Sequence, residues 1–271
     1  MHEAMTKIEA RALLVGRYGR ANALWLLSGL LLCVPNLLAP GLRWALSLPA
    51  AQAALQPLAA ALLLFAASLL ALVAAALLCA PLKAGRMAWF WRQNANRGRS
   101  NGIGTLFEPF RPARRAMQCA ALWLCLLVRK LGWWLLFCAP GMILLGISWF
   151  QLTVGSELLT FLIPCAAGGI FFVVGLFFYL LVTRRYLLAY YLFDELDRPH
   201  ATAIIRESAR VMDGQMGQAA AFALSFTPWI LSCILLFPAL YVYPYYQQSR
   251  ASFARQALSR GPRSIARDAE I

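Results

Sequence analysis

The chain has 271 residues, 61% of them hydrophobic and only 13% charged, with a formal net charge of +14. Soluble domains run nearer half apolar and a quarter charged, and a globule of this size must still cover its surface with polar groups. A soluble fold is excluded, and an all-α, polytopic bundle of membrane helices is expected over residues 1–271 as a single domain.

Charge-free runs occupy 21–42, 44–82, 131–156, 158–183 and 214–249. A spanning helix needs about 20 mainly apolar residues, and each run reaches that length. The first span is placed at 20–39 and read as retained, because the segment before it is too long and too mixed in charge for a signal peptide. The second span is placed at 57–80.

Positive charge sets the orientation, since cytoplasmic loops collect Lys and Arg. The segment 81–115 carries Lys83, Arg86, Arg92, Arg97, Arg99, Arg111, Arg114 and Arg115 against Glu108. The connections 40–56 and 154–157 carry only Arg43 and Glu157. The N-terminus and the loops 81–115 and 184–213 are therefore expected in the cytoplasm, and the other two connections outside. Nucleic-acid binding is not needed to explain the basic loop. In 104–115, Leu106, Phe107 and Phe110 beside arginines suit a headgroup region. Residues 92–104 read as loop.

Arg129 and Lys130 decide the third span. At mid-bilayer each costs roughly 2.5–3.5 kcal/mol, and nine Leu, Val and Phe residues in 116–139 recover about 4 kcal/mol of that sum. Starting the span at Leu131 avoids the penalty, so 131–153 is preferred, with 114–129 as an amphipathic approach helix. Otherwise Arg129 and Lys130 are intramembrane charges and candidate functional residues. The fourth span is placed at 158–182. Gly168 and Gly175 are seven residues apart on one face of it, and small residues let helices approach closely.

Residues 200–213 read as an amphipathic helix that packs under the bundle, started near Pro199 and stopped at Gly214. Ala201, Ile204, Ile205, Ser208 and Met212 share one side, Arg206, Glu207, Arg210 and Asp213 the other. Glu207 and Arg210 are spaced to pair.

The run 214–249 is long for one crossing and short for two, and Pro228, Pro238 and Pro244 interrupt it. A helix–break–helix pair at 215–231 and 233–249, turning near Ser232–Leu236, returns the basic tail 250–271 to the cytoplasm. That makes six crossings; a single crossing there makes five.

No acidic residue lies inside these spans, and no metalloprotease, serine-hydrolase or phosphate-loop motif occurs. The seven cysteines all fall in apolar runs and read as small fillers. Asp194, Glu195 and Asp197 read as a solvated turn in preference to a cation site. No cofactor or metal is expected.

Several segments carry a family pattern. They are Pro81-Leu82 with Gly85, Leu106–Arg111 (LFEPFR), Pro140-Gly141, Arg185–Glu195 (RYLLAYYLFDE), Ala203–Gly214 (AIIRESARVMDG), Leu224–Phe226 with Trp229, Tyr243–Gln247 (YPYYQ) and Ala251–Phe253. In this order they resemble the bacterial multi-pass membrane family known as domain of unknown function 975. That family is distantly similar to the membrane domain of some glycerophosphodiester phosphodiesterases. The resemblance covers about residues 8–257. It implies no activity, so no catalytic residue follows from it.

The expected function is a non-enzymatic scaffold or accessory subunit of the bacterial inner membrane. The alternative is a transporter or channel-like protein for a lipid or other amphiphile. Membrane lipids are the expected partners, including anionic headgroups at the cytoplasmic face, with a protein partner or a second copy of the chain. The candidate functional residues are Arg206, Arg210, Trp229, Tyr245 and Gln247, which are polar or aromatic where lipid alone does not require it.

Overall fold

The computed structural model describes residues 2–47, 57–95, 102–155, 158–196, 200–235 and 237–260. Every regular element among them is helical. The α-helices are α1 (His2–Leu14), α2 (Tyr18–Leu46), α3 (Pro57–Ala95), α4 (Ala113–Val154), α5 (Leu158–Thr183), α6 (Ala189–Glu195), α7 (Ala201–Met212), α8 (Met216–Leu224), α9 (Thr227–Ser232) and α10 (Phe237–Arg260). Three stretches are long and apolar enough to cross a membrane: Leu58–Asn94, Ala113–Val154 and Leu158–Glu195. In the most apolar part of each, the buried share is 0%, 17% and 11%. Apolar surface that finds no protein partner needs lipid, so the chain has the surface of a membrane protein.

The chain forms two compact units. The first comprises Met1–Leu124, Tyr190–Ala201 and Trp229–Arg255; the second comprises Cys125–Ala189, Thr202–Pro228 and Gln256–Ile271.

In the first unit, α1 turns into α2 at Gly16, whose φ of +74° suits glycine. Helices α2 and α3 pack antiparallel, with Arg17 donating to Gln93 and Arg86 donating to Ser28 at 3.4 Å. Helix α3 changes character along its length. Leu58, Leu62, Phe65, Leu69, Leu70 and Leu72 are exposed, whereas Ala80, Leu82, Met87, Trp89, Phe90 and Gln93 are buried. The second span was expected to end at residue 80, before a cytoplasmic loop. Instead the helix continues through Pro81 to Ala95. An interior proline costs about 3 kcal/mol of helix propensity, and burying two large aromatics and their neighbours offsets it. The loop reading of 92–104 is corrected accordingly to Ala95; residues 96–101 lie outside the described residues. Beyond them a 3-10 turn, Ile103–Leu106, lies directly on Gly85, where a Cβ would overlap the Leu106 carbonyl.

The reading of 250–271 as a basic tail is also corrected as far as residue 260. Helix α10 runs on through it, burying Ala251, Ser252, Phe253 and Ala254. Residues 261–271 and most of the 40–56 connection lie outside the described residues.

In the second unit, α4 and α5 form an antiparallel hairpin. The expected approach helix and span are one unbroken helix from Ala113 to Val154. The glycine seam is real and tight. A Cβ at Gly175 would overlap the Phe137 carbonyl, one at Gly141 would lie 2.5 Å from the Phe172 nitrogen, and one at Gly168 would lie 2.9 Å from the Leu145 nitrogen. Phe137 also stacks on Phe178, 5.9 Å between centroids. Helix α7 buries Ile204, Ile205, Ser208, Val211 and Met212, close to the face expected from periodicity, and Gly214 follows it at φ +78°. Helix α8 packs against α5 and the Arg184–Tyr186 turn.

The expected pair 215–231 and 233–249 takes a different form. Residues 216–232 are two short helices interrupted at Ser225–Phe226, and 233–249 is part 3-10 turn and part the first half of α10. Neither segment is among the three candidate spans of the described residues.

Gly175→Ala should lower the stability of the detergent-solubilised protein by about 1–3 kcal/mol, because the hairpin must separate to admit a methyl group. Gly146→Ala, where a Cβ meets nothing within 4 Å, should be neutral or slightly stabilising. Thermal unfolding followed by circular dichroism compares the two, and equal shifts would contradict the seam.

Candidate functional site: an arginine-lined cavity

The hairpin places one charged site. Its contacts pair Phe137 with Gly175, Gly141 with Phe172 and Leu145 with Gly168. Each step along α4 thus matches a step back along α5, which brings Arg129 level with the Arg184–Tyr186 turn that ends α5. Helix α7 closes the third side. Its Ser208 hydroxyl donates to the Arg185 carbonyl at 2.7 Å, pinning helix to turn. Thr202, Arg206 and Ala209 lie one and two turns apart on a single face.

The result is a cavity of about 460 Å³ lined by Arg129, Arg185, Tyr186, Thr202, Ala203, Arg206 and Ala209. The size falls in the range of small-molecule sites. Tyr186 is buried at the back and accepts a 3.1 Å hydrogen bond from the Trp133 indole N–H. Among the described residues no ion pair joins Arg129, Arg185 or Arg206 to a carboxylate. Arg185 does reach the Met216 sulfur at 3.9 Å, a weak acceptor. Three guanidinium groups with their donor forks available therefore face one volume.

Two of the sequence candidates, Arg129 and Arg206, meet here. Arg210 does not line this cavity; it turns to Glu207 at 3.7 Å, the expected pair. Lys130 is half-buried on α4 beside Arg129 and is not among the lining residues. Trp229, Tyr245 and Gln247 belong to the first unit. Trp229 is 53% exposed. Tyr245 stands 6.0 Å from the Tyr241 ring, which itself stacks on Tyr18. Gln247 is buried beside Gln248, Ser249 and Ser252. Trp229 does not line this cavity.

Arg185 and Tyr186 were missed as site residues. Their signal in the sequence was a paired arginine immediately after a long apolar run, which reads first as an interfacial stop.

The first unit holds a different charged cluster. Arg92 grips Asp194 with two bonds, Nε to Oδ2 at 3.0 Å and a terminal nitrogen to Oδ1 at 2.9 Å. Arg92 also meets Glu108 at 2.6 Å, and Arg115 approaches Asp194 at 3.5 Å. Asp194 had been read as part of a solvated turn. It is instead the acceptor for two arginines, its side chain only 10% exposed. The space among these groups is about 10 Å³, room for roughly one water. No group of His, Cys, Asp and Glu suited to a metal occurs among the described residues. Nearby, the buried Asn94 accepts from Ser252 at 2.9 Å, and Arg255 donates to the Asn94 carbonyl.

No family model, no characterised protein and no solved structure matches the chain.

Asp194→Asn should cost about 1–3 kcal/mol, because it removes the nearly buried charge that Arg92 grips twice and Arg115 approaches, leaving Arg92 only the more exposed Glu108. Glu108→Gln removes a partner that is 49% exposed and should cost under about 1 kcal/mol. Chemical denaturation in mild detergent separates the two, and similar losses would mean that the pair is not the anchor.

Proposed function

We propose that the chain is a multi-pass protein of the bacterial cytoplasmic membrane, with its N-terminus inside, that acts as a non-enzymatic scaffold or accessory subunit. The likeness to domain of unknown function 975 belongs to the same proposal, and no site residue rests on it. The observation that supports the reading is that the most apolar stretches of the three long helices are left almost wholly unburied. In the first unit the polar end of α3 is held to Asp194 and α10. In the second, Arg129, Arg185 and Arg206 line a surface cavity. The broken run 214–249 is then a re-entrant or interfacial pair, making up to six membrane segments with the C-terminus inside.

A second reading is transport of an anionic amphiphile, and the arginine cavity favours it over other transport classes. Anionic headgroups at the cytoplasmic face, a protein partner and a second copy of the chain are the partners that the main reading calls for.

Topology is checked with single cysteines in a cysteine-free background. Lys130→Cys and Arg206→Cys should both react with membrane-impermeant maleimide only after the inner face is made accessible. Reaction of either in intact cells would reverse the orientation. For the function itself, pull-down from gently solubilised membranes should recover a stoichiometric partner, and reconstituted vesicles should show no flux of a fluorescent phospholipid. Flux by the protein alone would replace the scaffold reading with the transport one.

A further inference from the structure

We infer that the cavity between α4, the Arg184–Tyr186 turn and α7 is a binding site for a phosphate group, carried in the membrane by the headgroup of an anionic phospholipid. The inference rests on the reading of the chain as membrane-embedded and deepens it by naming the ligand class.

The charge comes first. Arg129, Arg185 and Arg206 face a common volume of about 460 Å³, and among the described residues no carboxylate pairs with them. Elsewhere in the same chain arginines near acids do pair, as Arg92 and Arg115 do with Asp194 and Arg210 does with Glu207. Like charges gathered around one volume destabilise each other until an anion enters it. The guanidinium fork matches the oxygens of a phosphate in pairs, which a point charge does not. Thr202 lines the same cavity, and its hydroxyl brings a further donor.

The site is also built, not merely gathered. Arg129 sits on a helix locked against α5 by glycine contacts, and Arg185 on a turn whose carbonyl is held by Ser208. Tyr186 is fixed by Trp133. The three arginines therefore come from three elements whose backbones are mutually tied, so little backbone ordering is required on binding.

The source of the phosphate follows from the level of the site. The cavity lies where the apolar helix Leu158–Thr183 ends and a Trp–Tyr pair begins, the arrangement that membrane proteins present to headgroups. Exposed Leu136 lies two turns from Arg129 on the same face of α4, offering an acyl chain apolar surface beside the arginines.

The test uses the full-length protein in phosphatidylcholine nanodiscs, with and without phosphatidic acid, and in detergent with inorganic phosphate. Native mass spectrometry should show phosphatidic acid retained over phosphatidylcholine. Arg206→Gln should weaken that retention at least about tenfold, as loss of a charge-assisted contact implies. Arg206→Lys should recover part of it. Arg210→Gln, on the same helix but paired with Glu207 away from the cavity, should leave it unchanged. Retention of phosphatidic acid with no response to inorganic phosphate assigns the site to lipid. Binding of inorganic phosphate sensitive to Arg206→Gln, without lipid preference, supports the phosphate site and moves its source to solution. Equal weakening by Arg210→Gln and Arg206→Gln, or no selective binding of either probe, overturns the site. Alkaline carbonate extraction distinguishes the two levels: release of the protein from native membranes defeats the membrane reading itself, whereas a retained protein that binds no phosphate defeats only the cavity.

Discussion

The close approach of α4 and α5 at three glycines is the constraint on which the second unit depends. Where Gly141, Gly168 and Gly175 lie, backbone meets backbone. Helices in lipid gain little from hiding apolar side chains, since lipid hides them equally well, so contact of this kind supplies much of the association. It also fixes the level of one helix against the other, because a shift by one residue along the seam would drive a side chain into a carbonyl. Everything at the end of the hairpin inherits that setting. Arg129 stands opposite the Arg184–Tyr186 turn for this reason, and α7 can bring Arg206 to the same place.

The first unit solves a different problem. Its helix α3 is bare over the stretch that begins at Leu58 and packed over the stretch that begins at Ala80. In the packed part, polarity is organised by specific partners: Arg92 with Asp194, Gln93 with Arg17, Asn94 with Ser252 and Arg255. Cation–aromatic contacts fill the remaining space, with Lys83 4.9 Å from the Tyr190 ring centre and Arg86 5.6 Å from that of Tyr243. Such contacts gain strength where water is scarce.

Much of this was legible along the chain because it is periodic. The buried face of α7, its stop at Gly214 and the common face of Gly168 and Gly175 all follow from helical spacing. A break was expected at Ser232–Leu236 from the prolines on either side, and a 3-10 turn stands at Cys233–Leu235, but the interruption at Ser225–Phe226 was not expected. What escaped is non-local. Pro81 read as a boundary because nothing nearby reveals that Trp89 and Phe90 will be buried. Residues 250–260 read as a basic tail because their charge is visible in sequence, while the buried Ala251 and Ala254 between the arginines are small and weak in any hydropathy pattern. Asp194 read as a solvated turn because its partner Arg92 lies 102 residues away. The cavity was half visible: Arg129 and Arg206 stood out as unusual, but only a fixed hairpin joins them to Arg185.

The discontinuity of the first unit bears on how the chain is made. Its three pieces are separated by most of the second unit, and Ser252 bonds a residue 158 positions earlier. During synthesis Asn94 must therefore wait for Ser252 and Arg255 until α10 emerges, whereas Gln93 meets Arg17 and Arg92 meets Glu108 and Asp194 earlier. Closing so long a loop is slow compared with local helix pairing. The α4–α5 hairpin, separated by only a short turn, has no such delay. A chain cut short before α10 would therefore leave Asn94 without its two partners, an address for quality-control proteases.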